Sequence, residues 1–135
     1  MADNVMDAAD NAKIESELLY QKAFDFFQQA NYQQALPLAL ELSTIRPDDW
    51  RFHFLTAMSL QFLGDCQAAS AFYGYTLLLD PDCIPAVLRL AECLEKNGDT
   101  EQAKLMYESV IERGRNDPGH YDLQRHAQQQ LNTLH

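Results

Sequence analysis

The chain is short of the residues that interrupt regular structure, with five glycines and five prolines in 135 positions. That argues against a collagenous or low-complexity chain, and a composition nearly half apolar argues against disorder over most of the length. Positive charge is scarce as well. Ten Lys and Arg face twenty Asp and Glu, a formal net charge of −10. Nucleic acid and anionic membrane surfaces both recruit clustered Lys and Arg, so neither is expected as a partner. The acidity reads as a solvated exterior, and it also suits holding a basic or aggregation-prone partner. The three cysteines (Cys66, Cys83 and Cys93) are odd in number and lack CxxC spacing. Neither a disulfide framework nor a zinc site is expected, and reduced thiols in the cytosol fit. No run approaches the roughly 20 apolar residues of a membrane helix. The start, MADNVMDAADNAK, is acidic without an apolar stretch, so no signal peptide is expected.

What the chain does contain is a word said three times. A shift of 34 residues superimposes Ala23, Ala57 and Ala91, then Ala30, Gly64 and Gly98, then Ala35, Ala69 and Ala103, then Pro47 and Pro81. Such a period marks a helical repeat array. Apolar residues at i, i+3 and i+4 predict helices over about 15–29, 33–45, 50–63, 66–79, 84–96 and 100–113. Pro37 and Pro85 are read as lying in permissive first turns. Gly74, inside the fourth helix, is read as a mark of close packing. Asp48 or Asp49, and then Asp80, Asp82 and Asp99, are turn and capping residues. After Gly114 the punctuation decays, with Arg115 where proline is due. A last amphipathic helix over 119–134 then closes the array, as a stacked solenoid requires.

The expected fold is therefore all-α: three tetratricopeptide helix-turn-helix repeats at about 16–48, 49–82 and 83–116, in a right-handed superhelix with a C-terminal capping helix. Residues 1–14 are expected to be an acidic, weakly ordered segment ahead of a single domain over 15–135.

The alanine columns say why the repeat works. Antiparallel helices approach closely only where side chains are small. Phe26, Leu60 and Leu94 then fill the interior, and Tyr73 and Tyr107 pack toward the next pair. In such an array the first helix of each pair lines a concave groove. Counting from the alanines, the groove positions are Tyr20, Phe24 and Phe27; then Arg51, Phe54, Met58 and Phe62; then Leu88, Glu92 and Lys96. Many are large and apolar, and an exposed apolar patch of this kind marks a binding site. A homodimer partner or extra N-terminal helices could cover the same surface. With Tyr20, Phe24, Phe54 and Met58 at these places, no Lys/Asn clamp for a terminal carboxylate is available. The expected ligand is an extended or helical apolar segment.

Catalysis would need a nucleophile, a base and an orienting group converging in one pocket. His53, His120, His126 and His135 are scattered without recurring Cys or Asp partners, and each reads as a lone surface histidine. No glycine-rich phosphate loop is present. The chain is not expected to be an enzyme or to hold a cofactor or metal.

With these residues in view, the chain resembles the class II chaperones of type III secretion systems, small tetratricopeptide proteins that hold translocators before export. The likeness covers about residues 17–113. It is carried by LLYQKAFDFFQQANYQQAL, by Arg51-Phe52, by AFYGYTLLLD and by LAECLEKNGDTEQA. Tyr20, Phe24 and Phe27 with Tyr32 resemble the aromatic set that family uses in and around its groove. The tail DPGHYDLQRHAQQQLNTL resembles that of members serving secreted effectors. The resemblance implies a bacterial cytoplasmic, ATP-independent chaperone. It would bind a short proline- and leucine-containing segment of a secreted translocator in the groove, keeping that protein soluble and unassembled. A chaperone of a secreted effector or needle subunit, or a general tetratricopeptide scaffold, stands as the alternative. A homodimer is compatible with either.

Overall fold

In the computed structural model, which describes residues 7–134, seven α-helices follow one another and no strand occurs among the described residues. They are α1 (Ala8–Gln28), α2 (Tyr32–Ile45), α3 (Trp50–Phe62), α4 (Cys66–Leu79), α5 (Ile84–Lys96), α6 (Thr100–Gly114) and α7 (Tyr121–Thr133), the last entered through a 3-10 turn at Pro118–His120. Each helix packs on the next in antiparallel pairs, and α1, α3, α5 and α7 also touch in succession along one face. This is the all-α tetratricopeptide superhelix with its C-terminal helix.

The turn inside each pair is built the same way three times. Ala30, Gly64 and Gly98 occupy the left-handed region, with φ of 62°, 94° and 88°. The next N–H in each case reaches back five residues, Asn31 to the Phe26 carbonyl, Asp65 to that of Leu60 and Asp99 to that of Leu94, at 2.8, 2.9 and 2.9 Å. These bonds satisfy carbonyls that a helix end would otherwise leave open. Asp65 and Asp99 then cap the following helices, accepting from the Ala68 and Gln102 amides. Asp49 caps α3 in the same manner, accepting from the Arg51 amide. Asp80 bonds only the Asp82 amide in its turn, and α5 starts from Cys83 with no side-chain cap, so neither aspartate caps a helix as expected.

The alanine columns at 23, 57 and 91 and at 35, 69 and 103 are all fully buried. Between repeats the core divides into three clusters. Ala23, Ala39 and Leu55 join the first two pairs, and Ala57, Ala69, Tyr73, Ala86 and Cys93 join the second to the third. Val87, Leu88, Ala91, Tyr107 and Val110 join the third pair to Ala127 of α7. Tyr73 and Tyr107 are fully buried and lie in the cluster shared with the next element, as their spacing predicts. Ser43 and Thr56 hydrogen-bond each other at 2.9 Å in the interior, so the polar groups crossing α2–α3 are paired.

Four details depart from the sequence reading. The first helix begins at Ala8, not near residue 15. Asp7 caps it by accepting from the Asp10 amide at 2.8 Å, and Ala8, Ala9 and Ala12 carry it outward by helix propensity, without burial. The expectations for residues 1–6 and for His135 lie outside the described residues. Pro37 stands a full turn into α2, past the permissive first turn, and leaves the Gln33 carbonyl without its helical donor. Both residues are on the exposed side, where water can serve that carbonyl. Gly74 is not a close-packing glycine, since a Cβ built there would meet no atom within 4 Å. His53 is no surface histidine but 7 % exposed, with Nε2 donating to the Pro47 carbonyl at 2.8 Å.

Candidate functional site

The concave face is laid down by α1, α3, α5 and the start of the α7 cap, and its two halves differ in chemistry. In the N-terminal half, side chains from α1 and α3 meet as an aromatic sheet. Phe62 lies 5.7 Å from Phe27 and stacks on Tyr32 at 5.1 Å with 21° between the planes. Tyr20 sits 6.0 Å from Phe24, and Phe54 lies 6.0 Å from Tyr73 and 6.1 Å from Trp50. Met58 belongs to both neighbouring clusters, packing beside Tyr20, Phe24 and Phe27 on one side and Phe54 on the other. Six predicted groove residues, Tyr20, Phe24, Phe27, Phe54, Met58 and Phe62, are thus brought into one patch. Five are partly buried, and Phe62 is 44 % exposed.

Arg51, predicted for the same groove, is fully engaged. It binds Asp49 through Nε at 3.0 Å and through a guanidinium nitrogen at 2.7 Å, and the same guanidinium pairs with Glu17 across the repeat boundary. Its carbon lies 4.9 Å above the Tyr20 ring. The bond from Arg51 holds the Glu17 carboxyl below its usual value. Burial raises Asp49, but the Arg51 hydrogen bonds outweigh it and the net shift is downward. Arg51 is therefore a clasp between α1 and α3 that also covers one side of the aromatic patch.

The C-terminal half is polar and centred on Glu92. Tyr73 donates from its hydroxyl to the Gln61 side-chain oxygen at 2.6 Å, and the Gln61 amide donates to Glu92 Oε1 at 3.0 Å. Arg89 donates to the same oxygen at 3.0 Å, and His126 Nε2 lies 3.0 Å from Oε2. Burial pushes the Glu92 carboxyl up, but Arg89, Gln61 and His126 more than offset it, leaving it below the ordinary glutamate value. The chain of bonds ties α3 to α5 and α5 to α7. Lys96 is exposed at the edge of this half, lining with Glu92, Glu95, Tyr107, His126 and Gln130 a cavity of about 300 Å³.

Leu88 is a correction. It is 3 % exposed and packed in the cluster that includes Ala127, with Leu123 and Leu131 against it. The helix α7 stands where the first helix of another repeat would, and it covers the position that in the two earlier repeats holds Tyr20 and Phe54. Four residues that the sequence reading left out shape the face: Glu17, Gln61, Arg89 and His126. Two carried a readable signal, because Glu17 precedes Arg51, and Glu92 precedes His126, by the same 34 residues that set the repeat. Among the described residues no group of three or more His, Cys, Asp or Glu is placed to hold a metal ion, and no helix is long and apolar enough to cross a membrane. A cavity of about 450 Å³ lies outside this face, between α2 and α4.

A family model described as tetratricopeptide repeat matches residues 61–127. No curated protein sequence matches the chain. Among solved structures it is similar to a type III secretion complex from Aeromonas hydrophila, at 22 % identity and a TM-score of 0.86 over 98 % of this chain and 89 % of the other. It is similar to PcrH of Pseudomonas aeruginosa, seen with the chaperone-binding region of PopD, at 24 % identity and a TM-score of 0.85 over 90 % and 92 %. It is similar as well to the translocator chaperone SycD of Yersinia enterocolitica, at 24 % identity and a TM-score of 0.84 over 87 % and 81 %. SycD has also been seen with a peptide of the translocator YopD. At these identities the likeness is one of fold.

Proposed function

From the fold shared with the type III secretion translocator chaperones, we propose that this chain is itself such a chaperone, acting in the bacterial cytoplasm without ATP. It holds an apolar segment of a secreted translocator in the N-terminal half of the groove and keeps that protein soluble and unassembled until export. The observation that carries the reading is the patch of Tyr20, Phe24, Phe27, Phe54, Met58 and Phe62, six large apolar side chains left incompletely covered on a concave face. A groove of this kind gains affinity by burying apolar surface of its ligand, and the relatives PcrH and SycD are seen with translocator segments.

The C-terminal half contributes differently. Glu92 has three protein donors already, and Arg51 has two carboxylates. Ligand charge is therefore not what the groove reads. Leu88 sits under the cap and takes no part, while Arg51 and Glu92 tie neighbouring repeats together and Lys96 stands exposed at the edge. The test is co-expression with a type III secreted translocator, followed by affinity purification. The wild-type chain should bring the translocator into the soluble fraction, and Phe62→Glu should not, while circular dichroism stays helical. Equal recovery by both chains would overturn the groove assignment; soluble recovery of a needle subunit or an effector in place of the translocator would move the proposal to that client.

A further inference from the structure

A cavity of about 450 Å³ lies on the side formed by the second helices of the first two pairs. Leu40 on α2 and Phe72, Tyr75, Leu78 and Leu79 on α4 form its walls, with His53 among the residues lining it. These are not side chains tucked away. Leu78 is 80 % exposed, Tyr75 49 %, and Leu40 and Leu79 43 % each. The ring of His53 lies 5.5 Å from that of Tyr75 and 6.1 Å from that of Phe72. Its Nε2 is bound to a carbonyl, and its Nδ1 is buried with no hydrogen-bond partner. Orphaned buried nitrogens are uncommon in a finished core.

We propose that this recess docks an amphipathic helix of a partner protein whose apolar stripe is flanked by lysine and arginine. The shape fits a helix. The apolar walls run along α4 from Phe72 to Leu79, roughly 10 Å at 1.5 Å per residue, which is two turns of a docking helix. The flanking charge comes from the rim. Asp48 follows the lining residue Pro47, and Asp80 and Asp82 follow the lining residue Leu79, while Glu41 faces α1 on the other side of α2. Arg46 nearby is already paired with Asp48 at 3.8 Å. An apolar slot edged by carboxylates selects apolar segments with cationic borders. It disfavours a second copy of this chain, which would bring the same acidic rim and a net charge of −10. The chain's own first six residues, MADNVM, include Asp3 and no Lys or Arg, so they do not meet the charge requirement.

The probe is a labelled 18-residue helical peptide with a leucine stripe and lysine flanks, titrated against the full chain by fluorescence anisotropy at 150 mM salt. A second peptide carries the same stripe with glutamate flanks. The lysine peptide should bind, and Leu78→Asp should weaken it at least tenfold even though the substitution adds an acid and would strengthen a purely electrostatic contact. Leu78 is exposed enough that the fold survives, which circular dichroism checks. Phe62→Glu, in the groove, should leave the affinity within twofold, and the glutamate-flanked peptide should bind at least tenfold more weakly. The proposal is overturned if the lysine peptide does not bind or Leu78→Asp leaves it unaffected. It is equally overturned if Phe62→Glu abolishes binding, which would place the peptide in the groove, or if both peptides bind alike. Sedimentation gives the last check: a wild-type dimer that Leu78→Asp renders monomeric would assign the recess to a second copy.

Discussion

The two halves of the concave face use one backbone register for opposite ends. In the first and second repeats, the groove positions hold Tyr20, Phe24, Phe27, Phe54, Met58 and Phe62, which pack sideways on one another and remain partly open to solvent. In the third repeat the equivalent positions hold Leu88, Glu92 and Lys96. The first is buried under α7, the second is bound by three donors, and the third is exposed at the edge. The difference teaches that a solenoid end must be closed before it can be used. Where α7 closes the stack, the face spends its side chains on holding that helix. Two repeats away it is free to present unsatisfied apolar surface. The opposite end shows the same rule from the other side, for α1 has no helix packed outside it among the described residues and leaves Leu18 66 % exposed.

The strongest way to break the comparison is to place one charge in each half. Phe62→Glu puts a carboxylate into an apolar contact and should cost partner binding at least about 2 kcal/mol, roughly 30-fold, as the loss of an interface anchor does. Lys96→Glu changes the charge by two but touches only the polar edge, and should shift the affinity less than about threefold. Titration calorimetry with the same partner segment reads both. Comparable losses would mean that the ligand uses the whole face and that the division is wrong.

Glu92→Gln tests the polar half through stability. Glu92 is one-fifth exposed, and charged hydrogen bonds of this kind are worth on the order of 1–2 kcal/mol after allowing for solvent. The carboxyl is held below its ordinary value of 4.5 in the folded chain. Its contribution is therefore present above that value and is lost as pH falls through the lower, folded-state value. Urea midpoints for wild type and Glu92→Gln should differ at pH 7 and converge in acid as the carboxyl takes up its proton. A difference that persists unchanged into acid would mean that the effect comes from packing, not from charge.

The repeat itself was legible because it depends on small residues at fixed spacing, and each alanine column is buried where the period puts it. The aromatic patch was legible for the same reason, since groove positions follow from the alanine register. What the period could not place was anything that depends on α7. Its punctuation decays at Arg115, so nothing in the spacing showed that this helix would bury Leu88. His126 stands 34 residues after Glu92, yet without the turn signals it looked like an isolated surface side chain. His53 was misjudged for a different reason. It occupies a helix start, but the turn carbonyl of Pro47 and the rings of Phe72 and Tyr75 close over it, and those come from elsewhere in the chain. The early start of α1 reflects local propensity and a cap, which operate where no hydrophobic period is visible.

The smallest effect sharpens the comparison at the level of the backbone. The three inter-helix turns are alike in their hydrogen bonds, but the first puts Ala30 at φ 62° where the others put Gly64 and Gly98. An L-residue in that region costs roughly 1–2 kcal/mol, while glycine adopts it freely at the cost of more freedom in the unfolded chain. Ala30→Gly should therefore raise stability by about 0.5–1 kcal/mol, read as a higher urea midpoint with an unchanged slope. The turn borders the aromatic half, since Tyr32 lies two residues on and stacks on Phe62. If the strain only burdens the fold, affinity for the partner segment should stay the same as stability rises. If affinity falls while stability rises, the strained turn is positioning Tyr32 against Phe62, and the aromatic half is shaped by its backbone as well as by its side chains.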